Sequence, residues 1–269
     1  YDSAGQESSE GKRPLAARAY YARLTQALVT ALTAPMADGR LYEVDMRLRP
    51  SGRQGPVATS IQSFRDYQMT EAWTWEHLAL TRARPVAGDP ALAAEVEQIR
   101  LSVLAAKGAA PRVLVETAEM RARIFAAKAP DGDWEAKIGP GRLLDIELLA
   151  LSCALRAAAP ARRVEPQLRA GVRAGLLSAA DEAALQEAYR FLWRLQAGGR
   201  LLTQKPLDMG AIGEGGRAFL LRETGMSDLD ALASQLARQT ARAAGIIDRT
   251  LGTVHAGPAI GGVGGDPGT

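Results

Sequence analysis

Four charged residues at a spacing of two, Glu43, Asp45, Arg47 and Arg49, are the residues of this chain best suited to chemistry. They lie in Leu41-Tyr42-Glu43-Val44-Asp45-Met46-Arg47-Leu48-Arg49-Pro50, with Tyr42, Val44, Met46 and Leu48 at the alternate positions. That alternation predicts a β-strand over 41–49. A period of two places both carboxylates and both guanidinium groups on one face, and Pro50 ends the strand because proline has no ladder donor. Carboxylate oxygens suit Mg2+. Forked guanidinium donors two and four residues further on suit phosphate oxygens. On spacing alone the same face reads equally well as a solvated strand in which Arg49 pairs with Glu43. One strand with one or two carboxylates cannot hold a two-metal site, so a partner pair of aspartates is expected elsewhere.

The other chemically suggestive stretches have structural readings that compete well. Ser227-Asp228-Leu229-Asp230 looks like an acidic metal motif, but Leu232, Leu236 and Ala243 continue it at helical spacing. Ser227 with Asp230 is therefore expected to be a capping box, with acids in the first turn favoured by the helix dipole. Gly139-Pro140-Gly141-Arg142-Leu143-Leu144-Asp145-Ile146-Glu147 is a glycine loop entering an apolar helix. A carboxylate buried there must be paired, with a neighbouring arginine or with backbone donors. Trp73, Trp75, Glu76 and His77 are expected to pack two helices together, and Cys153 to be a small core residue. His255 is expected to be solvated.

The elements that would carry these residues are mainly helical. Tyr20, Leu24, Leu28 and Leu32, with Ala17 and Val29, form an apolar stripe behind Pro14. Ser60 is expected to cap a helix carrying Ile61, Phe64 and Tyr67. Asp89-Pro90 reads as a cap followed by a first-turn proline, opening a helix with Leu92, Val96, Ile99 and Val103. A boundary is expected near Gly108–Pro111, with helices at 112–128, 143–155, 178–196 and 228–251. Residues 252–269, rich in glycine, read as a disordered tail.

Composition narrows the classes. The 269 residues are 47% hydrophobic and 23% charged, enough for a sizeable core. A net charge of +3, without a basic, aromatic-lined patch, argues against nucleic acid. A single cysteine excludes an internal disulfide framework and suits a reducing cytoplasm. No membrane span or signal pattern is present. The chain does not begin with Met and opens in a polar loop, so it is expected to be a segment of something longer.

Taken together, several stretches resemble the glutamine synthetase adenylyltransferase family. They are Leu41 to Gly52; Tyr67-Gln68 followed by Glu71-Ala72-Trp73-Thr74-Trp75-Glu76-His77; Ala79-Leu80, Arg82-Ala83-Arg84 and Gly88-Asp89-Pro90; and Lys137 with Gly139 to Glu147. The resemblance covers about residues 1–200. It departs at Arg142, where the family has a second glycine, and at Leu148, where it has phenylalanine. What the resemblance implies is a mostly helical α+β chain: part of a polymerase-β-like nucleotidyltransferase domain over 1–110, a helical bundle over 111–252 and a flexible tail over 253–269. The form of the motifs resembles the C-terminal, adenylylating half of a bifunctional enzyme that moves AMP from ATP to a tyrosine of glutamine synthetase. It further implies Mg2+ and ATP at the site, glutamine synthetase and the PII signalling protein as partners, and a place in nitrogen metabolism. Asp45 matches the family's third metal carboxylate, with Glu43 auxiliary and Arg47 and Arg49 as phosphate or structural contacts. Lys137, Asp145 and Glu147 are expected to brace the two domains. The family's Gly-Ser-x-x-Asp-x-Asp pair is absent, so the chain by itself is expected to be inactive. The alternative is a non-catalytic helical module binding glutamine synthetase or PII.

Overall fold

A computed structural model describes residues 1–3, 5 and 7–252. The glycine-rich tail expected at 253–269, with His255, lies outside the described residues. Ten α-helices occur among the described residues: α1 Ala17–Thr33, α2 Ile61–Thr70, α3 Thr74–Leu80, α4 Pro90–Gly108, α5 Arg112–Ala127, α6 Leu143–Arg156, α7 Val164–Arg173, α8 Ala179–Leu202, α9 Gly213–Thr224 and α10 Leu229–Leu251. The fold is mostly helical, and among the described residues its strands form one antiparallel ribbon, β1 Pro35–Met36 with β2 Gly39–Arg40, beside an isolated bridge between Ser8 and Ala16.

The strand expected over 41–49 does not form. Residues 42–46 carry no regular secondary structure and residues 47–50 are a turn. No neighbouring strand among the described residues offers Glu43 to Met46 a ladder of donors and acceptors, and without one an alternating segment has no reason to stay a strand. The charged residues therefore do not share a strand face.

By contacts the chain divides into two compact units, Tyr1–Ala110 with Cys153–Ala170, and Pro111–Ser152 with the remainder from Gly171. In the first, α2 and α3 pack on α4. Leu80, Ile99 and Val103 form the core there, with Ile61 and Phe64 against them. Both caps expected in this unit are present. Ser60 accepts from the Ser63 N–H, and Asp89 accepts from Ala91 and Leu92 at 2.9 Å. The α1 stripe is helical as its spacing requires, yet Tyr20, Leu24 and Leu28 are exposed and no α1 residue is fully buried.

A polar clamp completes the first unit. Arg100 is only 1% exposed. It donates to the Glu97 carboxylate at 2.8 and 2.9 Å, to the Thr81 carbonyl at 2.8 Å and to the Pro160 carbonyl at 3.0 Å. Arg162 reaches the same Glu97 and donates to the Ala83 carbonyl. Every charge that is buried here has an opposite partner or a carbonyl, which is the condition for burying it at all. The Arg100 hydrogen bond holds the Glu97 carboxyl below its ordinary range.

In the second unit α8 packs on α9 and α10, and α10 also meets α5 and α9. Ser178 and Asp181 form the expected capping box on α8. At α10 the cap is Asp228, which accepts from Ala231 at 2.7 Å. Ser227 instead donates to the Asp228 carboxylate, so the structural reading of this acidic stretch holds but the capping residue is one position later than expected. Gly198 lets α9 approach α8, since a Cβ there would meet Leu220 at 2.8 Å.

Gly108, the last residue of α4, sits against the Leu155 carbonyl, which a Cβ would approach to 1.8 Å. Gly108→Ala should therefore lower stability by about 1–3 kcal/mol, the usual range for overpacking a filled site, measured as a lowered urea midpoint. An unchanged midpoint would show that α4 and the 155–156 backbone are not in this contact.

Candidate functional site

Within the 42–55 segment, one side chain joins the backbone turns to one another. The Arg49 guanidinium donates to three backbone carbonyls: Met46 at 2.8 Å, Arg53 at 3.0 Å and Gly55 at 3.1 Å. The planar fork of arginine, with five donors, is what makes a three-carbonyl grip possible. Two backbone features let the loop curl around it. Ser51 and Gly52 both take positive φ, 60° and 53°. Gly55 lies on the Pro50 carbonyl, where a Cβ would be 1.8 Å from the oxygen. The expected Glu43–Arg49 pair does not form, because Arg49 points into the loop. Glu43 is instead 3.5 Å from Arg40 at the exposed surface.

Asp45 is presented at the rim of this loop. Its carboxylate accepts from the Arg47 backbone N–H at 2.9 Å and from the Arg47 guanidinium at 2.7 to 3.0 Å. Both side chains remain largely in solvent, Arg47 70% and Asp45 56% exposed. The Arg47 side chain first, and its backbone N–H second, hold the Asp45 carboxyl at about 2, well below the ordinary value of 3.8. Asp45 is therefore ionised over the whole physiological range.

The residues at 67–77 form a second, buried constellation. The Tyr67 hydroxyl donates to both oxygens of Glu76, at 2.9 and 3.1 Å, and the Trp73 N–H donates to Glu76 at 2.9 Å. The His77 Nε2 donates to the Gln68 carbonyl at 3.0 Å. Tyr67-Gln68 and Glu76-His77 are thus two halves of one hydrogen-bonded joint between α2 and α3. The tryptophans depart from expectation: Trp73 is 70% and Trp75 42% exposed. The helix starts at Thr74, and its buried side is Glu76, His77, Leu78 and Leu80, which leaves both indoles outside.

The third constellation belongs to the second unit. Asp145 is fully buried and accepts from Arg121 at 2.5 and 2.8 Å and from the Gly141 N–H at 2.7 Å. Arg121 also reaches Asp248 at 2.6 Å. This is the paired carboxylate the sequence calls for, satisfied by an arginine and a backbone donor together. Burial pushes the Asp145 carboxyl up and the arginine opposes it, while Asp145 and Asp248 keep Arg121 cationic. Gly141 has φ 69° and lies so close to α10 that a Cβ would be 1.9 Å from the Thr240 carbonyl. Lys137 is exposed, with its N–H on Glu135, and Glu147 is half-buried. Arg121 and Asp248 were not signalled by the sequence, since they stand 24 residues before and 103 residues after Asp145 (145 − 121 and 248 − 145) without a local pattern. Cys153 is the buried core residue expected, its thiol pushed up to about 12 by burial.

Among the described residues no group of three His, Cys, Asp or Glu side chains could hold a metal ion. Asp45 is a lone carboxylate already engaged by Arg47. These residues by themselves do not fit a magnesium ion, which requires several oxygen ligands in near-octahedral geometry.

Comparisons with known proteins agree with the motifs. Residues 1–99 match the family profile described as glutamate-ammonia ligase adenylyltransferase, glutamate-ammonia ligase being another name for glutamine synthetase. Residues 114–253, more than half of the chain, match the profile described as GlnD PII-uridylyltransferase. The chain is 38% identical over 249 residues to a bifunctional glutamine synthetase adenylyltransferase/adenylyl-removing enzyme of Brucella suis, covering 91% of this chain and 25% of that protein. Similar proteins of the same name from Mesorhizobium japonicum and Xanthobacter autotrophicus are 51% identical over 56% of this chain and 38% identical over 94% of it, covering 15% and 26% of those proteins. The first match thus spans about a quarter of its relative's length. Both profiles describe nucleotidyl-transferring enzymes. The chain belongs to the family of glutamine synthetase adenylyltransferases.

The Asp45–Arg47 geometry makes a direct prediction. The Asp45 carboxyl should titrate by NMR with a midpoint of about 2, and Arg47→Gln should return it toward 3.8. A folded pKa below the unfolded value means that the pairing stabilises above about pH 4 and is lost as pH falls through 2. An ordinary midpoint in the unsubstituted protein would show that the pair does not persist in solution.

Proposed function

We propose that this chain is part of an adenylyltransferase that moves AMP from ATP to a tyrosine of glutamine synthetase. The tyrosine oxygen forms a bond to the α-phosphorus, the bond to the β-phosphate breaks, and pyrophosphate leaves. In this reading residues 1–110 are the C-terminal portion of a nucleotidyltransferase domain and 111–252 a helical bundle. The observation that carries it is the exposed, ionised Asp45 on a loop gripped by Arg49, within the segment matched by the adenylyltransferase profile. A carboxylate kept in solvent and held in one orientation is arranged to meet something outside the loop.

On this reading Asp45 is one carboxylate toward a magnesium ion whose other ligands are not among the described residues, with Glu43 as an auxiliary acid. Arg47, now on Asp45, and Arg49, within the loop, set the orientation of that carboxylate. Cytoplasmic placement fits the single buried thiol, and no helix among the described residues is long and apolar enough to cross a membrane. A second reading starts from the match of residues 114–253 to the PII-uridylyltransferase profile: the helices at 112–251 act without catalysis, binding glutamine synthetase or the PII protein.

One measurement separates these readings, and a second checks the activity of the chain alone. Asp45→Asn in the full-length protein should lower transfer of labelled AMP to glutamine synthetase by about 10²-fold or more, the size expected on losing one directed electrostatic contact at a reacting phosphate. Its circular dichroism should not change, and its melting temperature should fall only slightly with the loss of the exposed Arg47 pair. The 269-residue chain alone should transfer no label. Undiminished transfer by Asp45→Asn would remove Asp45 from the chemistry and leave the binding-module reading.

A further inference from the structure

Among the cavities of the second unit, one of about 250 Å³ lies between the 128–138 loop and the C-terminal end of α8 with the turn that follows it. Its cations are Lys128, Lys137, Arg200 and Lys205. The chain has five lysines in all, so three of the five converge on this one cavity. In a chain whose positive charge is overwhelmingly arginine, that concentration is not a feature of the general surface.

Hydrogen bonds fix the two turns that carry Lys137 and Lys205. Glu135 accepts from the backbone N–H groups of Lys137 and Ile138, at 2.6 and 3.2 Å, which fixes the turn that projects Lys137. Arg200 donates to the Gln204 carbonyl at 2.7 Å, and the Thr203 hydroxyl accepts from the Lys205 N–H at 3.1 Å, which fixes the turn that projects Lys205. Gly199 admits Leu207 against α8, with its side chain 3.3 Å from where a Cβ would stand. Of the two acids on the wall, Glu135 is committed to backbone donors, leaving Asp131 as the only other negative group there. Four cations against two carboxylates leave an excess of two positive charges around a concave space. Such an arrangement is repulsive until an anion enters, and it focuses the field on that anion. Trp134, half-buried, forms part of the same wall and offers a flat apolar face.

We infer that this cavity is a binding site for a small phosphate-bearing molecule, its phosphate oxygens taken by Lys137, Lys205 and Lys128. Lysine ammonium groups serve as rotatable point charges for phosphate rather than as the planar forks that select carboxylates. The volume is that of a small molecule. The site lies apart from Asp45 in sequence and in unit, and it does not depend on the transfer chemistry proposed above.

Isothermal titration of the protein in magnesium-free buffer with EDTA tests this, using inorganic phosphate, pyrophosphate and AMP as probes. At least one should bind saturably, and Lys137→Gln with Lys205→Gln should weaken it by about tenfold or more while Lys12→Gln leaves it unchanged. Equal affinity for phosphate and AMP identifies a site for the phosphate group alone. Tighter AMP binding that Trp134→Leu abolishes identifies a nucleotide site with the base on the indole. Unchanged melting temperatures in the variants keep the comparison valid, and Lys128→Gln provides a third variant if the double one does not fold. No binding of any probe, or binding indifferent to the lysine substitutions, overturns the inference.

Discussion

The grip of Arg49 on three backbone carbonyls is the constraint on which the candidate site depends. The segment from Tyr42 to Gly55 has no strand partner among the described residues, so its shape comes from backbone turns and the Arg49 side chain rather than from a ladder. One guanidinium fixes Met46, Arg53 and Gly55 relative to one another. Asp45 is adjacent to the first of these, and Arg47 then sets its carboxylate. Arg47 holds the carboxylate itself, and the Arg49 grip holds the backbone on which that pair stands.

The same device recurs in both units. Arg100 draws together Thr81, Glu97 and Pro160 around α4, and Arg121 draws together Asp145 and Asp248 beside α10. In each case one arginine joins groups from separate parts of the sequence through three or four hydrogen bonds. A chain poor in aromatics and built of alanine- and leucine-rich helices packs closely but offers few large side chains to fix one arrangement. Multidentate arginines and glycines at close approaches, Gly108 and Gly141 among them, supply that specificity. Buried ion pairs of this kind add little net stability, because desolvation consumes much of the attraction.

Most of the helices were legible because their signals are local. Asp89-Pro90, Ser60 and Ser178 with Asp181 each mark a helix start through a hydrogen bond spanning three residues. The strand at 41–49 was misread because period-two alternation describes a strand only where neighbours complete the ladder, and alternation says nothing of neighbours. The tryptophans at 73 and 75 were misplaced for a similar reason: aromatic character suggests burial, while the start of α3 at Thr74 decides which side faces inward. That Asp145 would be paired was legible from its apolar surroundings. Which arginine pairs with it was not, since Arg121 meets it only through the packing of separate helices.

The most direct test of the Arg49 grip is the activity of Arg49→Lys in the full-length protein. Lysine keeps the charge and much of the length, but one ammonium group cannot span three carbonyls in a plane. Transfer of labelled AMP to glutamine synthetase should fall at least tenfold in this variant, with the far-ultraviolet circular dichroism unchanged and the Asp45 region of the NMR spectrum broadened or shifted. Full transfer activity with an unperturbed Asp45 resonance would contradict the view that the loop is held, and its carboxylate aimed, by Arg49.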